Sequence, residues 1–527
     1  MNLDIDSCLL FFQVFRDRTI MKIKSFLLII TSAIFLILSF PKSDQSFFVW
    51  FALIPLLFAV EGKSVYKIFL VGWFCGFLFY TGLVYWIVVV TTTYGGLIYP
   101  LGIFVMLLLV TYLSIYLGLS LALSRFIEER TPFPLPLIFP FIWVTLEYIR
   151  SFAFSGFPWE SLGYSLYQSQ YFIQCADITG IYGISFLIVL TNITGYLLLR
   201  GIPRKKIPWK EVVLTTVLLS TALLYGKGRL STIAKISETS PSIPVGLIQG
   251  NINQGIKWNR AFRQQAIAIH QELSVKALNQ GVRLIIWPES STPFYFQSEL
   301  DYQKVIFDII SDSDTFLLMG SPFFDQQHGR IRNFNSAFLL APTRKVLGRY
   351  DKMHLVPYGE YIPLKQFFPF INKMVAGIGD FYSGESRKLL HLPEAPFGVL
   401  ICYEIIFPDL TRRFVKDGAQ FLVNITNDAW FGKTSAPYQH LSMAAVRAIE
   451  NRRFIARAAN TGLSSIIDAS GKIQSSTKLF TETLLTGTIR MLTIQTFYSK
   501  YGDIFAYLSV LFTTVLISLA LVKRFRS

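Results

Sequence analysis

The sequence predicts a polytopic α-helical membrane domain of about eight transmembrane helices plus a separate extracytoplasmic α/β domain. Two observations carry this reading. The 527 residues are 52% hydrophobic and only 16% charged, with a mean hydropathy of +0.46, too apolar for a soluble protein of two or three domains. The apolar residues also gather into long uncharged runs before residue 227 and again near the end, whereas residues 243–492 carry short apolar stretches separated by polar ones.

Residues 1–24 read as an N-terminal cytoplasmic segment, in which Met21, just ahead of Lys22 and Lys24, can serve as an internal start. Uncharged runs then occupy 25–41, 46–60, 68–124, 178–199 and 212–226, and 132–149 carries only Glu147. A helix of about 20 residues crosses the hydrocarbon. The run 68–124 is too long for one crossing and is broken by TTTYGG at 91–96, so it counts as two. A membrane domain of seven helices over 25–226 and a final helix over 503–523 follow from these runs. The first run lacks a small-residue cleavage site and further spans follow it, which makes it a retained helix rather than a signal peptide.

Basic residues set the orientation. Lys22 and Lys24, Lys63 and Lys67, Arg125 and Arg130, the segment RGIPRKKIPWK and the terminal KRFRS fall on one face if the helices alternate. That face is the cytoplasmic one, so everything between the seventh and eighth helices lies on the opposite side. The formal net charge of +16 is then a consequence of topology, and a nucleic-acid partner is not expected. Four cysteines and five scattered histidines give neither a disulfide framework nor a zinc-ligand spacing. No metal or cofactor is expected, and no Gly-rich phosphate cradle appears.

In the α/β domain, apolar runs at 245–252, 283–290, 315–323, 334–342, 346–357, 397–404 and 419–428 suit buried strands. Helical stretches at 260–280 and 437–459 lie between them, as expected for a covered sheet. Functional groups of such sheets gather beyond the carboxyl ends of strands. Glu289 ends RLIIWPE, Lys352 follows VLGRYD, and Cys402 closes FGVLIC. A thiol nucleophile, an ammonium that lowers its pKa and holds an oxyanion, and a carboxylate that moves protons form a complementary set. Each residue alone also fits a plain structural role: a small core thiol, a glutamate in a surface turn, a solvated lysine beside Asp351.

The segments WPES at 287–290, RYDKMHLVPYGEYIP at 349–363, GVLICYEIIFPDL at 398–410 and NITNDAWFG at 424–432 resemble the nitrilase, or carbon-nitrogen hydrolase, superfamily with its Glu-Lys-Cys triad. The resemblance covers about 243–492 and implies a four-layer α-β-β-α sandwich. With seven helices before and one after, the whole chain is similar to the bacterial inner-membrane acyltransferases that complete lipoprotein maturation. QGNINQGIKW at 249–258 and EYIRSFAFSGFPWESLGY at 147–164 fit the same pattern.

The resemblance implies that Cys402 is the acylated nucleophile, Glu289 the general base and acid, and Lys352 the charge partner. Glu360, Glu404 and Tyr403 correspond to accessory residues. Trp258, Tyr403 and Trp430 match aromatic positions around the pocket, Asn335 a pocket-side Asn, and Arg150 and Trp159 a membrane-proximal loop at the lipid entrance. The implied partners are a membrane phospholipid as acyl donor and diacylated apolipoproteins as acceptors, served by a monomer with its catalytic domain on the periplasmic side. The implied chemistry is ping-pong transfer through a cysteine thioester. The apolar, glycine-bearing loop 364–384, with Phe367, Phe368 and Phe370, reads as a flap on the membrane. A membrane-anchored amidase acting on a small soluble substrate shares the triad and stands as the alternative; a transporter or receptor predicts ionisable residues inside the spans, which are nearly absent.

Overall fold

The computed structural model describes residues 23–254, 260–327, 330–357, 359–361 and 381–524. Among them, four helices are long and apolar enough to cross a membrane: Val65–Val84, Tyr99–Glu128, Ile181–Arg204 and Ile504–Val522. Shorter apolar helices cover Ile23–Leu38 and Ser46–Ala59, and Leu135–Arg150 forms another. The helix Trp209–Thr239 outruns its apolar stretch and continues through a polar second half to the first strand.

The long run 68–124 divides at TTTYGG. Beyond Trp86–Val89 the chain widens into a single turn, Val90–Tyr94, where Thr91 and Thr92 hydroxyls donate to the carbonyls of Ile87 and Val88. Gly96 then takes a left-handed φ of 67°, which ends the helix at little steric cost. The helices on either side pack through small residues. A Cβ on Gly72 would stand 3.0 Å from Gly118 Cα, and one on Gly118 would stand 2.9 Å from the Phe69 carbonyl, so these backbones touch, as apolar helices in lipid commonly do.

Twelve strands are described: β1 (Ser242–Gln249), β2 (Leu284–Ile286), β3 (Phe316–Gln327), β4 (Arg330–Leu340), β5 (Val346–Asp351), β6 (Leu390–His391), β7 (Pro396–Ile401), β8 (Phe421–Thr426), β9 (Ile455–Ala459), β10 (Ser465–Ile467), β11 (Ile473–Ser476) and β12 (Thr483–Arg490). They form two six-stranded sheets, ordered β12-β1-β2-β3-β4-β5 and β11-β10-β9-β8-β7-β6. In each, the three strands β1-β2-β3 or β7-β8-β9 run parallel and the flanking pairs antiparallel.

The strand period of two separates the two faces of the first sheet. Val245, Leu247, Leu284, Ile286 and Leu318 join Val399, Ile401, Val423 and Ile425 of the second sheet in one core. Ile248, Ile285, Trp287 and Leu317 instead pack with Ile267 and Leu273 of the helix Arg263–Leu278 and with Ile306 and Ile310 of Leu300–Ile310. On the far side of the second sheet lie Pro408–Lys416, whose Phe414 abuts Gly398 of β7, and the helix Ala436–Asn451, buried at every residue but Tyr438. The layers therefore run helix, sheet, sheet, helix.

Three readings of the sequence are corrected. The stretch 437–459 is not one helix: Arg452 adopts the left-handed conformation (φ 50°, ψ 53°) that stops Ala436–Asn451, and Ile455–Ala459 becomes β9, buried along its whole length. The strand expected over 334–342 begins earlier, at Arg330, so Asn335 lies inside β4 opposite Pro322. Arg150 closes the helix Leu135–Arg150 rather than sitting in a loop.

The two halves are joined by buried polar contacts. Asp177 accepts from Tyr225 Oη (2.7 Å) and Arg229 Nε (2.6 Å) of the long helix Trp209–Thr239. It also accepts from Arg452 Nε (3.0 Å) and Nη2 (2.9 Å) of the catalytic half.

Candidate active site

Glu289, Lys352 and Cys402 stand just past β2, β5 and β7, one from each of three strands in facing sheets, and all are buried. Glu289 sits on a tight loop that β3 admits only because position 320 is glycine: a Cβ there would meet Glu289 Cα at 2.7 Å and Ser290 N at 2.6 Å. Its carboxylate is oriented by two donors, Asn335 Nδ2 to Oε1 (2.8 Å) and the Asn427 backbone N–H to Oε2 (2.9 Å).

Lys352 Nζ lies 2.8 Å from Glu360 Oε2 and 3.5 Å from Glu289 Oε1. Burial alone would lower its pKa, but the charges of Glu360 and then Glu289 outweigh it and hold the ammonium above the ordinary lysine range. Asn335 donates to Glu360 Oε1 as well, again at 2.8 Å. One amide therefore spaces the two carboxylates that flank the ammonium.

Cys402 ends β7 with φ of 53°, a left-handed conformation costly for a residue with a side chain and found at functional turns. The thiol opens the 3₁₀ turn Cys402–Ile406. Burial pushes its pKa up, the Glu289 charge adds to that, and Lys352 only partly offsets them. The ammonium thus acts in the direction expected from the sequence and is overruled. Cys402 therefore rests as a thiol, which would have to lose its proton to act as a nucleophile.

Glu404 ties the nucleophile turn to the lysine strand. Its Oε1 accepts from Tyr350 Oη (2.8 Å) and from the N–H groups of Met353 (2.7 Å) and His354 (3.1 Å), and its Oε2 from Ile401 N–H (2.7 Å). Complete burial still raises its pKa to about 7. Tyr403 lies against Phe407 (5.2 Å between ring centres) and His354 (6.0 Å). Burial, followed by the Lys352 charge, lowers the His354 pKa to about 4.

The other expected site residues fall in different places. Trp430 packs edge-on against Tyr94 of the membrane half at 5.1 Å. Arg150 is buried, donating to Tyr80 Oη (2.9 Å) and Ser161 Oγ (3.1 Å). Trp159 is buried beside Trp86 and donates to Gln439. Trp159 belongs to the joint between the halves, whereas the partners of Arg150 lie within the membrane half. Trp258 and the loop 362–380, with Phe367, Phe368 and Phe370, lie outside the described residues.

A second cluster escaped the sequence reading. His440 Nε2 lies 3.1 Å from the Cys402 carbonyl, and its Nδ1 lies 3.1 Å from both Asp428 Oδ1 and Arg457 Nη2. Arg457 also bonds Asp428 Oδ2 (2.7 Å) and Asn424 Oδ1. Burial and then Arg457 lower the His440 pKa, so the neutral ring donates from Nε2 to Cys402 and accepts at Nδ1 from Arg457. Asp428, held well below the usual carboxylate range by Arg457 against the cost of burial, balances the guanidinium. The pairing of His440 with Arg457 was hidden because β9 was read as helix; only the polar residues of NITND signalled it.

Among described residues no group of three His, Cys, Asp or Glu could hold a metal ion. The arrangement is suited to acyl transfer: a buried thiol, a carboxylate fixed to take its proton, and a charged ammonium where an oxyanion develops.

Comparison with known proteins agrees with this chemistry. The family described as apolipoprotein N-acyltransferase N-terminal domain matches residues 32–194, and carbon-nitrogen hydrolase matches residues 245–498. Apolipoprotein N-acyltransferase of Geobacter metallireducens is 45% identical over 94% of this chain and 95% of its own length. That of Haemophilus influenzae is 31% identical over 95% and 96%. Among solved structures, an amidase from Nesterenkonia sp. is 19% identical, with a TM-score of 0.36 over 48% of this chain and 91% of that one, too slight a likeness to bear on the assignment. With both halves matched in order and a relative of 45% identity spanning nearly the whole length, the chain belongs to the apolipoprotein N-acyltransferase family.

Proposed function

We propose that this protein transfers a fatty acyl chain from a membrane phospholipid to the α-amino group of the N-terminal S-diacylglyceryl-cysteine of apolipoproteins, the last step of their maturation. It is an N-acyltransferase, and lipoproteins are its acceptors. The observation that carries the reading is the convergence of Glu289, Lys352 and Cys402 in a buried site, with Lys352 3.5 Å from Glu289, on a domain fastened to apolar helices.

In the first half-reaction, Glu289 takes the Cys402 proton as Sγ attacks the ester carbonyl of the phospholipid. Lys352 stabilises the oxyanion. Collapse breaks the ester C–O bond, Glu289 returns the proton to the departing glycerol oxygen, and lysophospholipid leaves a thioester on Sγ. In the second half-reaction the acceptor amine attacks that thioester and loses a proton to Glu289. The C–S bond breaks, the thiolate recovers the proton, and an amide remains. Glu360 and Asn335 keep Glu289 and Lys352 apart, Glu404 positions both loops, and Tyr403 and Trp430 serve the acyl pocket.

Exposing an acyl chain to water costs about 0.8 kcal/mol per CH₂, which is why the site must be served from the bilayer surface. We place the protein in the bacterial inner membrane as a monomer with eight spans, and the domain over 243–492 on the periplasmic side, on the strength of the basic cytoplasmic loops. Arg150 and Trp159 then brace the membrane-facing side of the site.

Intact mass of the purified protein, after incubation with a phospholipid of defined acyl chain and no acceptor, tests this. The expected result is a gain of one acyl group, absent in Cys402→Ala and discharged by a diacylated lipopeptide. Absence of the adduct together with hydrolysis of soluble amides would replace the reading with that of an anchored amidase.

A further inference from the structure

Gln439 and His440, neighbours on the helix Ala436–Asn451, serve opposite halves of the molecule. His440 reaches the carbonyl of the nucleophile. Gln439, 1% exposed, spends its amide on the membrane half. Its Oε1 accepts from Trp86 Nε1 (3.1 Å) and Trp159 Nε1 (2.8 Å). Its Nε2 faces the carbonyls of Pro41 (3.2 Å) and Leu83 (3.1 Å) and Ser435 Oγ (3.3 Å). The two indoles lie 4.8 Å apart and both meet Phe431 of the catalytic half.

The chemistry of this contact is demanding. Two buried indole N–H groups need an acceptor with two lone pairs, and two carbonyls at helix or loop ends need donors, all from one side chain. Only an amide carries both. A glutamate would turn a carboxylate oxygen toward the Pro41 and Leu83 carbonyls, and a leucine would leave all four groups unpaired. One amide thus fixes the position of three separate membrane-half segments, ending at Pro41, at Leu83 and Trp86, and at Trp159, relative to the turn that buttresses Cys402.

We propose that Gln439 is a positioning residue for the lipid donor: it sets the height and angle of the catalytic domain over the membrane half, so that an ester presented from the bilayer reaches Cys402. The inference rests on the acyl-transfer reading above. A small ester that diffuses in from water has no need of that alignment, and this separates a positioning role from a general structural one.

The test is single-turnover acylation of the full-length protein in detergent–phospholipid mixed micelles, read by intact mass, beside the reaction of the same protein with p-nitrophenyl acetate. For Gln439→Leu the phospholipid rate is expected to fall by about tenfold or more, as for loss of buried hydrogen bonds, while the p-nitrophenyl acetate rate stays within about twofold of wild type. Trp86→Phe, which removes one N–H from the same node, should show the same selectivity with a smaller loss, and it decides the matter if Gln439→Leu does not fold. Equal losses with both donors, or no loss with phospholipid, would overturn the proposal. A wild-type protein that reacts with p-nitrophenyl acetate but takes no acyl group from phospholipid would instead overturn the acyl-transfer reading itself.

Discussion

Lys352 makes its close ion pair with Glu360, at 2.8 Å, and not with Glu289, which stands 3.5 Å away. The ammonium is thus compensated chiefly by Glu360, which in the proposed reaction leaves Glu289 as the group that takes the thiol proton. Asn335 enforces the division by donating to both carboxylates.

Replacing Glu360 with Gln removes the compensating charge and draws Lys352 onto Glu289. The base is then pinned in an ion pair. The expected outcome is a fall in kcat of about 10²-fold, the low end of what a general base contributes, with phospholipid KM little changed. Steady-state kinetics of Glu360→Gln measure it.

The raised pKa of Cys402 gives a pH signature. With burial and Glu289 both disfavouring the thiolate, alkylation of Cys402 by iodoacetamide should keep rising with pH beyond 9, with no plateau near neutrality. Glu289→Gln removes the largest of the charges that raise the pKa. Its alkylation profile should therefore shift to lower pH, even though acyl transfer is lost. A shift upward, or a neutral-pH plateau in the wild type, would contradict this order of effects.

His440→Leu removes the N–H that holds the Cys402 carbonyl. The carbonyl keeps only the longer bond from Asn424 Nδ2 at 3.5 Å, and loss of the shorter buried bond costs about 1 kcal/mol or more. The left-handed turn at Cys402 loosens, so acylation should slow by about tenfold with phospholipid and with p-nitrophenyl acetate alike. The two rates measured side by side separate this residue from its neighbour Gln439.

Glu404→Gln should reduce kcat without altering the mass or accessibility of the thiol. The amide can still accept through one oxygen, but its NH₂ must face a backbone N–H of Ile401 or of the Met353–His354 pair. One donor clashes or goes unpaired, at a cost of about 1–3 kcal/mol, and the Lys352 loop parts from the Cys402 turn. A lowered melting temperature with unchanged phospholipid KM is the expected combination.

The strand-end places of Glu289, Lys352 and Cys402 were legible in the sequence because each follows an uninterrupted apolar strand, and a continuous run betrays a buried strand regardless of its partners. The break at 91–96 was legible for a local reason too, being carried by Thr and Gly. The supporting residues were not. Arg457 sits in RFIARAAN, which continues the composition of the preceding helix; only the left-handed Arg452 turns it into a strand, and Arg is not a residue that announces such a turn. Arg150 and Trp159 were placed near lipid because they adjoin apolar runs, but their burial depends on Gln439, Tyr80 and Ser161, distant in sequence or hidden in a loop. Contacts between segments so far apart in the chain leave no period in either one.

β1 and β12 are neighbours, with Ser242 opposite Arg490, so the catalytic domain begins and ends at one place. The helix Trp209–Thr239 delivers the chain to that point, and Ile504–Arg524 follows soon after the chain leaves it. Such adjacency is the geometry of a guest domain set into a loop of a host, which neither has to distort to admit the other. An enzyme of this design can arise by a single insertion between two existing helices, and its later refinement lies in the few side chains, Gln439 and Asp177 among them, that stop the guest from swinging on its tether.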